Sequence, residues 1–321
     1  MRKFLGFLCI AVSMAVLGFG VHMYMPKFMD YKKSRDLYND IEKNYTSVPE
    51  DIIVPWEENE LPVESPQETA VREYETEGGI QWWEPFADTE GLHKQKAAAV
   101  RKLTGKSLPA YLLDNGVDRK HLNDFLPINV DGNSLKQEND DYLGWIYIPR
   151  TTISYPVVLS KDNADYLHTN FYHEYNYPGT IFMDFRNRDL RDHHTILYGH
   201  NMRDGSMFAG IKAYNEQEFA DTHPFIWVIT PKYNLLYRVF SSYISSPLDP
   251  KTFALDRDQF STNLQWHEIV QEIQERSLIR TDVNVSGLSF VISLSTCTDD
   301  SASRNVVSAV LIGNYSDGSE K

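Results

Sequence analysis

Leu288-Ser-Phe-Val-Ile-Ser-Leu-Ser-Thr-Cys297 alternates apolar and small polar residues and stops on a cysteine. Leu288, Phe290, Ile292 and Leu294 fall on one face, and Ser289, Val291, Ser293 and Ser295 on the other. A period of two predicts a β-strand with one side in a core. Arg304 stands just ahead of the next apolar run, Val306 to Ile312. Runs of the same kind occur upstream at Gly144–Ile148, Tyr155–Leu159, Thr180–Asp184, Thr195–Tyr198, Phe225–Ile229 and Leu235–Ile244. They are short, rich in β-branched and aromatic residues, and bounded by Gly, Pro, Asn and Asp, the punctuation of strands. Eight such strands at this spacing predict a mainly β fold, an eight-stranded closed barrel. One long amphipathic helix, from about Asp258 to Ser277, interrupts the series, with Leu264, Ile269 and Ile273 as its expected inner face. Good helix formers over 94–103 predict N-terminal helices that continue to about Leu126.

The only other cysteine, Cys9, lies in a hydrophobic N-terminal segment, so Cys297 has no soluble partner for a disulfide and belongs to no multi-cysteine zinc cluster. Two readings remain, a buried structural thiol or a nucleophile. Two neighbours in type favour the second: His200 ends another strand, and Arg304 supplies a fixed positive charge. A thiolate forms at neutral pH only beside a cation or a proton acceptor. Each residue also has a plainer reading, His200 as the close of a turn after Gly199 and Arg304 as an exposed charge at a strand start. The carboxylates of Asp184 and Glu174 do not make a metal set, and neither a catalytic metal nor a cofactor is expected.

The formal charge of −14 is localised, because 50–90 holds thirteen acids against one base, Arg72, and leaves the rest near neutral. No basic surface marks a nucleic-acid partner. Residues 1–29 carry an uncharged, mostly apolar run from Phe4 to Met25, long enough to cross a bilayer as a helix. The alternative, a cleaved signal peptide, normally has a shorter apolar region and a small-residue cleavage site. This run ends in the bulky Gly20-Val-His-Met-Tyr-Met25, which favours an uncleaved single-pass anchor. Basic residues flank it on both sides, so orientation is not fixed by charge. Residues 30–91 read as an acidic tether with scattered proline, disordered by composition, although 30–45 has the makings of a polar helix or stalk. Residues 92–321 read as the catalytic domain.

Thr195-Ile-Leu-Tyr-Gly-His200-Asn-Met, followed by Gly205-Ser-Met-Phe208, resembles the catalytic-histidine segment of sortases, and Leu294-Ser-Thr-Cys297 followed by Arg304 resembles their Cys and Arg segment. The likeness extends through Gly144-Trp-Ile-Tyr-Ile-Pro149, Tyr155-Pro-Val-Val158, Asn163-Ala-Asp-Tyr-Leu167 and Gly179-Thr-Ile-Phe-Met-Asp-Phe-Arg186, covering about Asp124 to Gly313. The long helix and the N-terminal helices point to class B. The resemblance implies a sortase barrel anchored by its N-terminus and facing the outside of a Gram-positive cell. It implies Cys297, His200 and Arg304 as catalytic residues, with Asn163, Leu167 and Ser295 lining the groove for a peptide. The implied reaction is cleavage of a C-terminal sorting motif after Thr through a thioester. The acyl group then passes to an amine of peptidoglycan or a pilin. A cysteine protease that hydrolyses the same thioester and a non-enzymatic envelope binding protein are the alternatives from other classes. Without the resemblance, Asn163 reads as a helix cap and Ser295 as an ordinary strand serine. The short Cys-to-Arg loop and the long acidic tether depart from the family pattern.

Overall fold

The computed structural model describes residues 22, 24, 25, 28–48, 117, 124–188, 190, 192–232, 234–255, 260, 262–298 and 302–315. A two-stranded ladder of β1 (Thr46–Ser47) and β2 (Asn129–Val130) precedes the barrel. The barrel strands are β3 (Tyr142–Tyr147), β4 (Ser154–Leu159), β5 (Ile181–Met183), β6 (His194–Tyr198), β7 (Phe225–Ile229), β8 (Asn234–Ser245), β9 (Val291–Cys297) and β10 (Arg304–Tyr315). They close in the order β10-β8-β7-β3-β4-β5-β6-β9, the eight-stranded barrel expected from the eight β-branched and aromatic runs. Neighbours are antiparallel except β4–β5 and β6–β9, which run parallel. Closure pairs every barrel strand on both sides and leaves the barrel itself without an open edge.

The strand β9 is buried on both faces, not one. Ile292 and Leu294 join Val307, Ala309 and Leu311 in the larger core, while Val291 joins Val306 and Val310 in a second one. The second core is made by a helix laid over the sheet. Short helices at Gly132–Glu138 (α2) and Gln217–Thr222 (α3) precede it, and α4 spans Asn263–Glu275. The Thr262 side chain caps α4 by accepting from Gln265 N at 3.3 Å. Its inner face is Trp266, Ile269, Val270 and Ile273, and the Trp266 indole N–H donates to Ser289 O at 2.7 Å. Leu264, expected inside, is 62% exposed. Five residues separate it from Ile269, which turns it away from the stripe at 266, 269, 270 and 273 that helical spacing aligns.

A helix over 28–45 (α1) packs against the barrel, with Tyr38 and Ile41 buried in the larger core. The Tyr38 hydroxyl donates to Gly179 O at 2.6 Å, and Asp131 N donates to Tyr45 O at 2.8 Å. This part of the segment expected to be a tether is therefore folded onto the body: its apolar side chains find a core that composition alone does not show. Residues 49–91 lie outside the described residues, as do the apolar run from Phe4 to Val21 and the helix expected over 94–103. Among the described residues no helix is long and apolar enough to cross a membrane.

Gly179 has φ +62°, and a Cβ there would lie 2.3 Å from Tyr166 O and 2.4 Å from Leu167 O. Only glycine lets the chain pass so close under the 3₁₀ turn Asp165–Leu167 on its way into β5. Gly179→Ala should cost about 1–3 kcal/mol, the scale of a strained left-handed residue. A thermal or denaturant unfolding curve measures it, and an unshifted midpoint would refute this reading of the crossing.

Candidate active site

The parallel ladder between β6 and β9 runs His194 opposite Val291 up to Tyr198 opposite Ser295. Gly199 extends it by donating its N–H to Ser295 O at 3.2 Å. Two residues beyond Tyr198, His200 is therefore level with Cys297, two residues beyond Ser295. A side chain at Gly199 would meet Ile181 Cδ1 at 2.5 Å and the Phe208 ring at 2.8 Å, so anything larger than glycine forces those side chains to move where the strand turns into the histidine. The turn closes when Phe208 N donates to His200 O at 3.0 Å.

On the other side of β9, Arg304 pairs directly with Cys297. Residues opposite one another in an antiparallel pair have Cβ atoms about 4.5–5.5 Å apart on one face. The hairpin between them is tied by Thr298 N to Ser303 O at 3.0 Å and Ser303 N to Thr298 Oγ1 at 3.1 Å. The strand order β6-β9-β10 thus sets Cys297 between His200 and Arg304 at one end of the barrel. Cys297 is a free thiol, half-buried, as are His200 and Arg304. A thiol flanked by an imidazole and a guanidinium is a set able to attack a carbonyl, shuttle a proton and meet a negative charge.

His200 Nε2 lies 2.8 Å from Leu167 O. A carbonyl oxygen only accepts, so Nε2 carries the hydrogen and Nδ1 keeps the lone pair. Burial lowers the His200 pKa below its ordinary value; the Leu167 hydrogen bond raises it and the nearby His168 lowers it further. The ring is therefore held neutral near pH 7, ready to accept a proton.

The three groove residues inferred from the resemblance are placed as follows. Leu167 is half-buried against the core and serves His200 through its carbonyl. Asn163 caps nothing; Asp162 Oδ1 takes the N–H groups of Ala164 and Asp165 instead. Asn163 Oδ1 accepts from Phe185 N at 3.1 Å and its Nδ2 donates to Asp184 Oδ2 at 3.0 Å. It braces the turn ahead of Leu167 against the end of β5. Ser295 is 1% exposed, lies two residues before Cys297 in β9, and its Oγ has no hydrogen-bond partner among the described residues. Asp184, dismissed as a metal ligand, is fully buried and its oxygens receive Arg186 in a fork (2.9 Å twice) and the Tyr198 hydroxyl at 2.9 Å. Burial raises its pKa, but the hydrogen bonds and charge of Arg186 outweigh that and the net shift is downward.

Sequence reasoning missed the aromatic surround of His200. The rings of His168 and Tyr177 lie 5.3 Å and 6.1 Å from that of His200, nearly parallel to it. His168 follows the quoted Asn163–Leu167 string by one residue, and that adjacency was the only available signal.

No family model matches the chain. Sortase B of Staphylococcus aureus is 36% identical over 184 residues, 56% of this chain and 73% of that protein. Sortase B of Listeria monocytogenes is 36% identical over 164 residues, 51% of this chain and, at 65%, just under two thirds of that protein. Among solved structures, sortase B of Clostridium perfringens superposes with a TM-score of 0.53 at 32% identity, covering 56% of this chain and 98% of that one.

Proposed function

The chain belongs to the sortase B family, and from that premise we propose that it is a cysteine transpeptidase acting on the C-terminal sorting motif of a surface protein. The observation that carries the reading is the strand order that seats Cys297 between His200 and Arg304. Cys297 Sγ attacks the carbonyl carbon of the Thr in the motif while His200 Nδ1 takes the thiol proton. Arg304 donates hydrogen bonds to the oxyanion that forms, where fixed charge acts most strongly. The tetrahedral adduct collapses to a thioester, and the His200 imidazolium gives its proton to the departing amine. An amine of peptidoglycan or a pilin then attacks the thioester and His200 accepts its proton. The new amide leaves, and the Cys297 sulfur recovers the proton from His200. Of the residues that the resemblance assigns to the peptide groove, Leu167 borders this centre through the turn that holds His200, Asn163 braces that turn, and Ser295, 1% exposed, lies beneath the surface of the groove. Residues 4–25 anchor the protein in the membrane, with the barrel on the outer face of a Gram-positive cell.

Incubating the full chain with a motif peptide and an added amine separates the outcomes. A new amide product and a thioester adduct mapped to Cys297 support transfer. Free acid alone assigns hydrolysis, and no adduct under any condition leaves a barrel that only binds.

A further inference from the structure

His168 ends the 3₁₀ turn whose Leu167 carbonyl holds His200, so one short segment contacts the same imidazole twice. The two imidazole rings lie 5.3 Å apart at 17°, and Tyr177 lies 5.4 Å from His168 at 19°, so three nearly parallel rings form one wall. His168 is fixed in turn: its Nδ1 is 2.8 Å from Tyr177 O, an acceptor, so Nδ1 carries the hydrogen and Nε2 keeps the lone pair. Tyr31 of α1 closes the back of the wall, 5.8 Å from Tyr177. We propose that His168 is a positioning residue for His200, backing the imidazole that the Leu167 carbonyl holds and, as an imidazolium, setting a like charge against it.

The inference rests on reading His200 as the proton carrier. The other titratable or charged groups around this wall of rings are Tyr177 beside His200, Tyr175 6.4 Å from His168, Tyr31 behind Tyr177 with Arg203 and Asp204 acting on it, Cys297 at the end of β9 and Arg304 at the start of β10. Besides burial, the Leu167 carbonyl acts on His200 to favour the imidazolium and His168 acts to oppose it. The sign follows. A catalytic base with a depressed pKa keeps its lone pair to lower pH, so removing the like charge moves the acid limb of kcat/KM upward.

The test compares wild type, His168→Phe and His168→Ala in the full chain held in detergent micelles. His168→Phe keeps a flat ring and removes the charge. It also gives up the Nδ1–H bond to Tyr177 O, so kcat at pH 7.5 should fall, though less than in His168→Ala, while kcat/KM should lose about threefold more at pH 5.5 than at pH 7.5. His168→Ala removes the wall as well, and kcat should fall about tenfold with little change in KM, the scale of a loosened catalytic group. The His200 ring, followed by NMR in a Cys297→Ala background, should titrate at higher pH in both variants. Unmoved titration and an unmoved acid limb would overturn the proposal. His200→Ala separates it from the reading beneath: an inactive His200→Ala with no His168 effect removes only His168, whereas an active His200→Ala removes His200 from the mechanism while the NMR coupling still stands or falls by itself.

Discussion

Cys297→Ala should remove all transfer and all thioester formation while leaving the barrel intact. Loss of a sole nucleophile in an acyl-transfer site typically costs on the order of 10⁴-fold or more, because the remaining groups have nothing to activate. The fold should not notice. Cys297 is the last residue of β9, half-buried, and belongs to neither apolar core. Removing one sulfur there costs well under the about 2–5 kcal/mol of a core truncation. Its neighbours one and three positions back differ: Thr296 and Leu294 are buried, and Leu294 sits in the larger core. Intact-mass spectrometry after peptide addition reads the adduct, and thermal unfolding reads the fold. Residual turnover above about a hundredth of wild type would show that another group attacks. A large drop in melting temperature would show that the thiol is structural, the plainer of the two readings open from sequence.

The barrel was legible because its strands are rich in β-branched and aromatic residues and separated by turn residues, and the eight runs read from sequence correspond to the eight barrel strands. Boundaries moved where backbone pairing overrides composition. Leu288 reads as strand, yet Ser289 N turns back to Ser286 O at 3.0 Å and pairing begins at Val291, whose N–H reaches His193 O at 2.7 Å. Leu264 was misplaced because an apolar residue near a helix start carries no mark of which way the helix rotates. Cys297 and Arg304 stood out because one ends a strand and the other begins the next, and His200 because it follows a strand by two residues. Their adjacency did not, since β6 and β9 are far apart in sequence and only barrel closure sets them side by side in parallel. His168, Tyr177 and Tyr31 were illegible for the same reason: they meet where a connection and α1 cross the strand ends. Asn163 shows the converse, a residue legible as polar and well placed whose amide is already engaged with Asp184 and Phe185.

Arg304→Lys keeps the positive charge and should still cost about 10²–10³-fold in kcat, the loss seen when one oxyanion donor goes. The reason is shape. Guanidinium presents a planar fork of donors, so it can anchor one nitrogen on the protein and offer others to a substrate. Arg304 is arranged that way: Nη1 donates to Ser303 O at 3.1 Å, a bond within its own hairpin that holds the plane beside Cys297. An ammonium is a compact point charge on a flexible stem and cannot make both sets of contacts from one position. The cross-strand register fixes the Cα of residue 304 whatever its side chain, and β10 is held along its length by β8 and β9, so folding should be nearly unaffected. The loss should therefore fall on kcat, with KM changed less, because the oxyanion exists only beyond the ground state. Steady-state kinetics with a motif peptide, beside an unfolding curve, decides it. Equal falls in kcat and kcat/KM support a donor that acts in the transition state. A change confined to KM assigns Arg304 to substrate docking, and wild-type turnover removes it from the mechanism and leaves Cys297 and His200 to work as a pair.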